Sequence, residues 1–172
     1  GLGELAADAQ PYVAKLARRF ADAEEPVRRA AVEALVKLGP EHGAGAAPTA
    51  AKLLSHRLET VRRAAAAALA AFGEAAHPYR VQRELALLPD TSPSMRCSAI
   101  EALVGIGVSE GLGEEEAVAL LQLYIDPHWC VRLAVAKAIR SFGEGTPVRE
   151  RGSDHLTILA SDRDWRVQRE AT

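Results

Sequence analysis

The sequence lacks long apolar runs, and cysteines and aromatic residues are scarce. No stretch approaches the ~20 apolar residues that span a bilayer, and residues 1–10 lack a basic segment followed by an apolar one. The sequence therefore predicts neither a transmembrane helix nor a secretory signal. Its two cysteines, Cys97 and Cys130, have no CxxC or Cys/His spacing, which argues against a zinc site and a disulfide framework and favours a reducing compartment.

Aromatic residues make up only 5% of the 172 residues, and alanine is the commonest residue. The core must therefore be built from small and branched aliphatic side chains, and the high helix propensity of alanine predicts helices. The 48% of hydrophobic and 26% of charged residues are typical of a globular domain. A formal net charge of −2 is unlike that of a dedicated nucleic-acid-binding protein, whose affinity depends on a strong positive excess.

One sequence pattern recurs along the chain. Copies begin at Val27, Val61, Met95 and Val131, and a fifth begins at Val167, so the intervals are 34, 34, 36 and 36 residues. In every complete copy the first, fifth, eighth, ninth and twelfth positions are apolar, which places them on one face of an α-helix. The interval is too long for one helix, so each unit is predicted to be a pair, helix A followed by helix B.

The boundaries of these helices are predicted from glycine and proline. Helix A should end at a glycine that adopts a left-handed conformation, and the four candidates are Gly39, Gly73, Gly107 and Gly143. Helix B should begin near a proline or an acidic residue, and the four candidates are Pro11, Pro48, Pro78 and Glu114. A fifth, shorter helix B is predicted over residues 154–160.

The repeat predicts an all-α fold, an α-solenoid of stacked antiparallel helix pairs with about ten helices in one domain over residues 1–172. A leading helix B covers about 11–21, repeats cover about 22–56, 57–90, 91–126 and 127–162, and a further repeat starts at 163–172. Because the sequence stops inside a repeat, we expect it to be a fragment of a longer solenoid.

An aspartate stands six residues before the arginine of helix A in several copies, as in Asp90 before Arg96 and Asp126 before Arg132. This pattern resembles the HEAT-repeat family in its short, phycobilisome-lyase-type form. The resemblance implies a right-handed superhelix with the B helices on its concave face, and a ladder of hydrogen bonds between neighbouring repeats. The ladder residues are Asp22, Arg28, Arg62, Asp90, Arg96, Asp126, Arg132 and Asp162.

Two positions depart from the family pattern. His56 replaces the aspartate before Arg62, and Gln168 replaces the arginine after Asp162. Where both residues are present, the aspartate carboxylate can cap exposed helix N–H groups and accept the guanidinium fork of the next layer. Whether these two rungs of the ladder form is therefore left open.

No catalytic, cofactor-binding or metal-binding residues are predicted. The histidines are scattered over the units, and no His-Glu dipeptide is present. Paired His-Glu motifs would be required for similarity to the di-iron hydroxylases with HEAT-like repeats. Stacked helix pairs offer extended surface but no preorganised catalytic pocket, so the sequence predicts a protein that is not an enzyme.

Two groups of residues are candidates for binding a partner. Trp129 and Trp165 occupy the same position in successive repeats, where a tryptophan is either a wedge at the seam between repeats or a contact in an interface. Lys52, Arg80 and Arg83 lie on B helices and, with the basic residues of the leading helix, form either a basic groove or a solvated charged face.

The leading functional hypothesis is a protein–protein interaction scaffold, or a peripheral subunit of a larger assembly, whose partners are other protein subunits. The first alternative, implied by the resemblance, is a chromophore-lyase-like assembly factor for pigment proteins. The second is a HEAT-like nucleic-acid-binding module, for which the sequence gives no strong evidence. A place at the periphery of a membrane complex stays open, and the sequence does not identify the compartment.

Overall fold

The computed structural model describes residues 12–13, 15–38 and 40–172, and in these residues the chain forms helices and turns but no strand. The α-helices are α1 (helical at 12–13 and 15–18), α2 (Glu25–Leu38), α3 (Pro40–Leu53), α4 (Glu59–Ala71), α5 (Arg80–Leu87), α6 (Pro93–Glu110), α7 (Glu114–Leu121), α8 (Trp129–Ser141), α9 (Pro147–Leu159) and α10 (Trp165–Ala171). Short 3-10 helices cover Arg19–Ala21, Gly73–Tyr79 and Gln122–Ile125. The predicted all-α fold of helical repeats is confirmed.

The chain divides into two compact units, Gly1–Ala86 and Leu87–Thr172. In the first unit, α2 packs against α4, and α3 packs against α4 and the 3-10 helix Gly73–Tyr79. In the second unit, α8 packs against α6 on one side and α10 on the other, and α9 packs against α7 and α8. Within each unit, helices of type A therefore lie beside one another, as do their B helices.

The apolar face of helix A forms the core. In α4 the five pattern positions are buried: Val61, Ala65, Ala68, Leu69 and Phe72. Alanine at the fifth and eighth positions is fully buried here, which lets the neighbouring helices approach closely. In α2, Val27 departs from this pattern, because 38% of its surface is exposed.

The glycine pattern identifies two helix ends correctly among the described residues, those of α4 and α8. Gly73 follows the end of α4 and has a φ of 55°, the left-handed conformation that was predicted. Gly39 lies outside the described residues. Gly107 does not end a helix, because α6 continues to Glu110 and the left-handed residue is Gly111, with a φ of 86°. The prediction for Gly107 was therefore wrong.

Packing explains the glycine at 107. A Cβ atom built there would lie 2.6 Å from the ring of Phe142 and 2.7 Å from Cγ of Leu112. This position therefore needs a residue without a side chain, although its backbone is ordinary helix. Gly143 follows the end of α8 as predicted, but its predicted left-handed conformation was wrong, since the positive φ belongs to Gly145, at 81°.

The predicted starts of the B helices are partly correct. Helix α7 begins at Glu114, and α5 begins at Arg80, shortly after Pro78. Helix α3 begins at Pro40 rather than Pro48, which lies inside the helix on an exposed position. The candidate Pro11 lies outside the described residues.

The fifth B helix is longer than predicted. Helix α9 covers Pro147–Leu159, so most of the segment that was predicted as a connection is helical. Thr146 caps this helix, because its Oγ1 accepts a hydrogen bond from the backbone N–H of Arg149 at 3.4 Å. A threonine followed by proline at the first helical position is a recognisable helix start.

Candidate functional site

The turn before each A helix is closed by the fourth residue of that helix. In four helices this residue is an arginine, whose Nη1 donates to the backbone carbonyl six residues earlier at 2.6–2.9 Å. The donors are Arg28, Arg62, Arg96 and Arg132, and the acceptors are the carbonyls of Asp22, His56, Asp90 and Asp126. Each arginine also donates to the next carbonyl along the chain. The arginines therefore hold their own turns together.

Gln168 takes the same role in α10. Its Nε2 donates to the carbonyl of Asp162 at 2.5 Å, again six residues earlier. A neutral amide is sufficient for this bond, because the acceptor is a carbonyl and not a carboxylate. The replacement of arginine by glutamine therefore keeps the closure of the turn.

The first polar residue of each turn accepts a hydrogen bond from the backbone N–H two residues later. Four of these residues are aspartates, and their Oδ1 acceptors lie 2.8–3.1 Å from the nitrogen: Asp22, Asp90, Asp126 and Asp162. At the fifth turn Nδ1 of His56 accepts from Leu58 N at 3.2 Å. The histidine therefore reproduces the turn that aspartate forms elsewhere.

Contacts between successive repeats use the remaining nitrogens of the same arginines. Nη2 of Arg96 donates to Oδ1 of Asp126 at 2.8 Å. Arg132 forms two parallel bonds with Asp162, from Nε to Oδ2 at 2.7 Å and from Nη2 to Oδ1 at 2.8 Å. All four side chains in these pairs are largely buried. The Arg132 guanidinium holds the pKa of Asp162 below its usual value.

In the first unit the contact between repeats is different. Arg28 Nη2 donates to Oγ1 of Thr60 at 3.1 Å, and Thr60 is the second residue of α4. A neutral hydroxyl thus receives the guanidinium in the repeat where His56 stands in place of aspartate. The ion pair of the second unit is replaced here by a weaker hydrogen bond.

The two tryptophans begin consecutive A helices, α8 and α10. The guanidinium carbon of Arg166 lies 3.3 Å from the centroid of the Trp129 ring, so this tryptophan is covered from the next repeat. Arg166 is itself held by Asp164, through bonds of 2.9 and 2.7 Å that lower the pKa of Asp164 to about 2. Trp165 contacts Arg169 of its own helix, at 5.1 Å, and is more exposed than Trp129.

The predicted basic residues on the B helices have local partners. Arg83 Nε donates to Oε1 of the buried Glu84 at 2.6 Å, so its charge is balanced within α5. Arg80 Nη1 donates to the carbonyl of His77 at 2.7 Å. Lys52 is exposed near the end of α3. The structure therefore places Arg83 in an ion pair of its own helix rather than in an uncompensated basic groove.

Sequence reasoning missed an open surface pocket in the second unit. The pocket has a volume of about 420 Å³ and lies between the 3-10 helix Gln122–Ile125 and the C-terminal end of α9. It is lined by Tyr124, Ile125, Asp126, Arg132, Ile158, Leu159, Ser161, Asp162 and Arg163. Ile125 is 71% exposed and Ile158 is 55% exposed, which is unusual for residues of this size. We call this the isoleucine pocket. Its only sequence signal is that both isoleucines fall outside the buried stripe of their helices.

Metal ligands and membrane spans were searched over the same residues. In the described parts of the chain no three His, Cys, Asp or Glu side chains lie together as ligands for a metal ion. None of the helices described above combines the length and the apolar character that crossing a membrane requires.

Comparison with known families assigns these repeats. A family model for HEAT repeats matches residues 13–82 and 81–172, which is almost the whole chain. The chain belongs to the HEAT-repeat family. The family predicted from the aspartate and arginine spacing is thus confirmed, and the finer resemblance to the phycobilisome-lyase-type form stays a prediction.

Two solved structures resemble this HEAT-repeat chain. A designed armadillo repeat protein, in complex with the peptide (KR)4, has a TM-score of 0.56 and 23% identity over 92% of this chain and 78% of that one. The crystal structure of an engineered protein has a TM-score of 0.49 and 21% identity over 92% of this chain and 76% of its own. No curated protein matches the sequence. The first likeness supports the fold alone.

Proposed function

We propose that this HEAT-repeat chain is a non-enzymatic protein-interaction scaffold or a peripheral subunit of a larger protein assembly. Stacked helix pairs of this kind expose long rows of side chains on a rigid support. The designed armadillo repeat protein of similar fold was solved with a bound peptide, which supports protein partners for this chain as well.

The observation that carries the proposal is the isoleucine pocket. Ile125 and Ile158 expose most of their surface at its rim, and burying such side chains against a partner yields about 25 cal/mol for each Å² removed from water. The Arg132–Asp162 ion pair lies at the same pocket and fixes the relative positions of the two repeats that form it. The surface therefore combines two exposed isoleucines with charged and polar neighbours over a rigid ion pair, a combination that favours protein contacts.

The polar residues described above support the same proposal. The arginines and aspartates of the turns bond to one another or to backbone carbonyls, so their role is structural. The nucleic-acid alternative depends on the B-helix arginines, yet Arg83 is neutralised by Glu84. The chromophore-lyase alternative stands on family resemblance alone.

A co-purification experiment with matched variants tests the proposal. The tagged protein is isolated from its source cells beside an Ile125→Ser/Ile158→Ser double variant and a Val108→Ser control. Val108 is 62% exposed on α6 and does not line the isoleucine pocket, so it controls for the loss of surface hydrophobicity. We expect a stoichiometric partner with the unaltered protein and with Val108→Ser, and its loss with the double variant.

Two results would overturn the proposal. Recovery of the unaltered protein without any stoichiometric partner would remove the scaffold function. Recovery of the same partner by the double variant, at unchanged yield, would show that the isoleucine pocket is not the contact surface. Circular dichroism melting of each variant confirms that folding is retained, because substitutions at exposed sites change stability little.

A further inference from the structure

The two cysteines of the sequence lie in neighbouring A helices of the second unit. Cys97 is in α6 and Cys130 is in α8, and these helices pack against each other. Both thiols are free, and both are only partly buried. They are 33 positions apart in the chain, so their approach is a consequence of the repeat.

Cys130 lies close enough to Cys97 to raise the pKa of its thiol. The ladder fixes this approach, because Arg96, the neighbour of Cys97, donates to Asp126 at 2.8 Å. Oδ1 of Asp126 in turn accepts from the backbone N–H of His128, two residues before Cys130. Short, buried polar bonds therefore connect the backbone beside one thiol to the backbone beside the other.

We infer that Cys97 and Cys130 form a redox-sensitive modification site, at which a peroxide converts the two thiols into a disulfide that joins α6 to α8. Solvent access is provided by the partial exposure of both residues. No other cysteine is present in the sequence to compete for either partner. The site is independent of the isoleucine pocket and of the proposed scaffold function.

The chemistry balances with hydrogen peroxide as the two-electron oxidant. In the first step one sulfur attacks the peroxide, the O–O bond breaks, and a sulfenic acid and water form. In the second step the other thiol attacks the sulfenic sulfur, the S–S bond forms, and its proton leaves with the hydroxyl group as a second water. Burial and the adjacent Cys130 raise the pKa of Cys97 to about 11. Because the thiolate is the nucleophile, Cys97 attacks peroxide slowly at neutral pH, and we assign the first attack to Cys130.

Mass spectrometry of the complete chain after peroxide treatment tests the inference. The sequence has no lysine or arginine from position 97 to position 131, so trypsin leaves both cysteines in one peptide. We expect this peptide to lose two hydrogens and to resist alkylation until it is reduced. Cleavage after glutamate, for example at Glu110, then separates the two cysteines and yields a cross-linked pair of peptides.

Serine variants supply the controls. Cys97→Ser should form no cross-link within the chain and should instead retain a sulfenic acid at Cys130 that dimedone traps. Cys130→Ser should likewise form no cross-link within the chain. The disulfide closes a loop of the chain, so oxidation should raise the Tm of the unaltered protein by roughly 5 °C or more, and that of neither variant.

The contrary results are equally specific. If both thiols of the unaltered protein remain alkylatable after peroxide treatment, the inference is wrong. It is also wrong if the cross-links join different chains, which would make their yield rise with protein concentration. Oxidation of the unfolded chain in denaturant gives the disulfide yield that results from proximity in the sequence alone. The disulfide yield of the folded chain should be at least tenfold higher.

Discussion

Arg132 donates hydrogen bonds from Nε and Nη2 to the carboxylate of Asp162 in the following repeat, and from Nη1 to the backbone carbonyl of Asp126 in its own turn. One side chain thus joins two repeats and shapes the loop that precedes its helix. Because the guanidinium and the carboxylate are both largely buried, removal of one leaves the other without compensation.

Arg132→Ala should lower the free energy of unfolding by about 3–5 kcal/mol, because it leaves the buried carboxylate of Asp162 without its guanidinium partner and the carbonyl of Asp126 without its donor. Urea unfolding followed by circular dichroism measures this change. Arg140→Ala is the matched control, since its exposed contact with Glu170 is 4.0 Å long and is expected to contribute less than about 0.5 kcal/mol. Equal effects of the two substitutions would contradict a structural role for the ladder.

The same pair predicts the dependence of stability on pH. The Arg132 guanidinium lowers the pKa of Asp162 in the folded chain. A carboxyl with a lowered pKa stabilises the fold above its ordinary pKa, near 4, and this contribution is lost as the pH falls through the lower folded value. Asp162→Asn should therefore show a smaller fall in Tm between pH 5 and about pH 2 than the unaltered protein. Parallel melting curves over that range would refute the assignment.

Gly107→Ala should destabilise the second unit by about 1–3 kcal/mol, because the added methyl group would meet the ring of Phe142 and the side chain of Leu112. Gly105→Ala, two positions away in the same helix, is the control. A Cβ at Gly105 meets nothing within 4 Å, so the higher helix propensity of alanine should stabilise the protein by about 0.5–1 kcal/mol. In chemical denaturation we expect the two substitutions to change the free energy of unfolding in opposite directions. Changes in the same direction would count against close packing at 107.

His56→Asp should strengthen the contact between the first repeats. An aspartate can keep the bond to the backbone N–H of Leu58 and also present a carboxylate to Arg28, which now donates to the Thr60 hydroxyl. A charge-assisted bond in place of a neutral acceptor should stabilise the protein by about 1 kcal/mol in urea unfolding. The gain should persist when Thr60 is changed to Val. A destabilised His56→Asp/Thr60→Val protein would show that Arg28 does not reach the new carboxylate.

The sequence correctly predicted the features that follow from the period of the repeat. The recurring apolar positions identified α4, α6, α8 and α10 as helices with one buried face, because helix geometry alone converts that spacing into a stripe. The spacing of aspartate and arginine also recurs with the repeat, and it led to the correct family. The apolar pattern is complete in four copies and the aspartate and arginine pair in three, so chance agreement at a single position matters little.

The sequence failed where one residue type serves two purposes. Glycine at 107 satisfies a close contact with Phe142, yet in the pattern it looks the same as Gly73, which ends a helix. The start of α9 was missed although the Thr146–Pro147 pair is a local signal for a helix start. Local cues therefore gave the helices more reliably than their ends.

The contacts that form the candidate surfaces were beyond sequence reasoning. The isoleucine pocket depends on how α7 and α9 lie side by side, and the sequence fixes no distance between Ile125 and Ile158. The role of arginine on the backbone carbonyls was also not foreseen. Only the aspartate side chain was considered as its partner, although the carbonyls six residues earlier receive a bond in every described turn.

The carbonyl bond made by Gln168 has a consequence for exchanging repeats. Closing a turn and engaging the neighbouring repeat are separable tasks: a glutamine performs the first, whereas the second needs the additional nitrogens of arginine. A repeat with glutamine at this position therefore places no demand for an aspartate on whatever packs against it. A different repeat could therefore be joined after such a repeat without first giving it an aspartate to pair with an arginine.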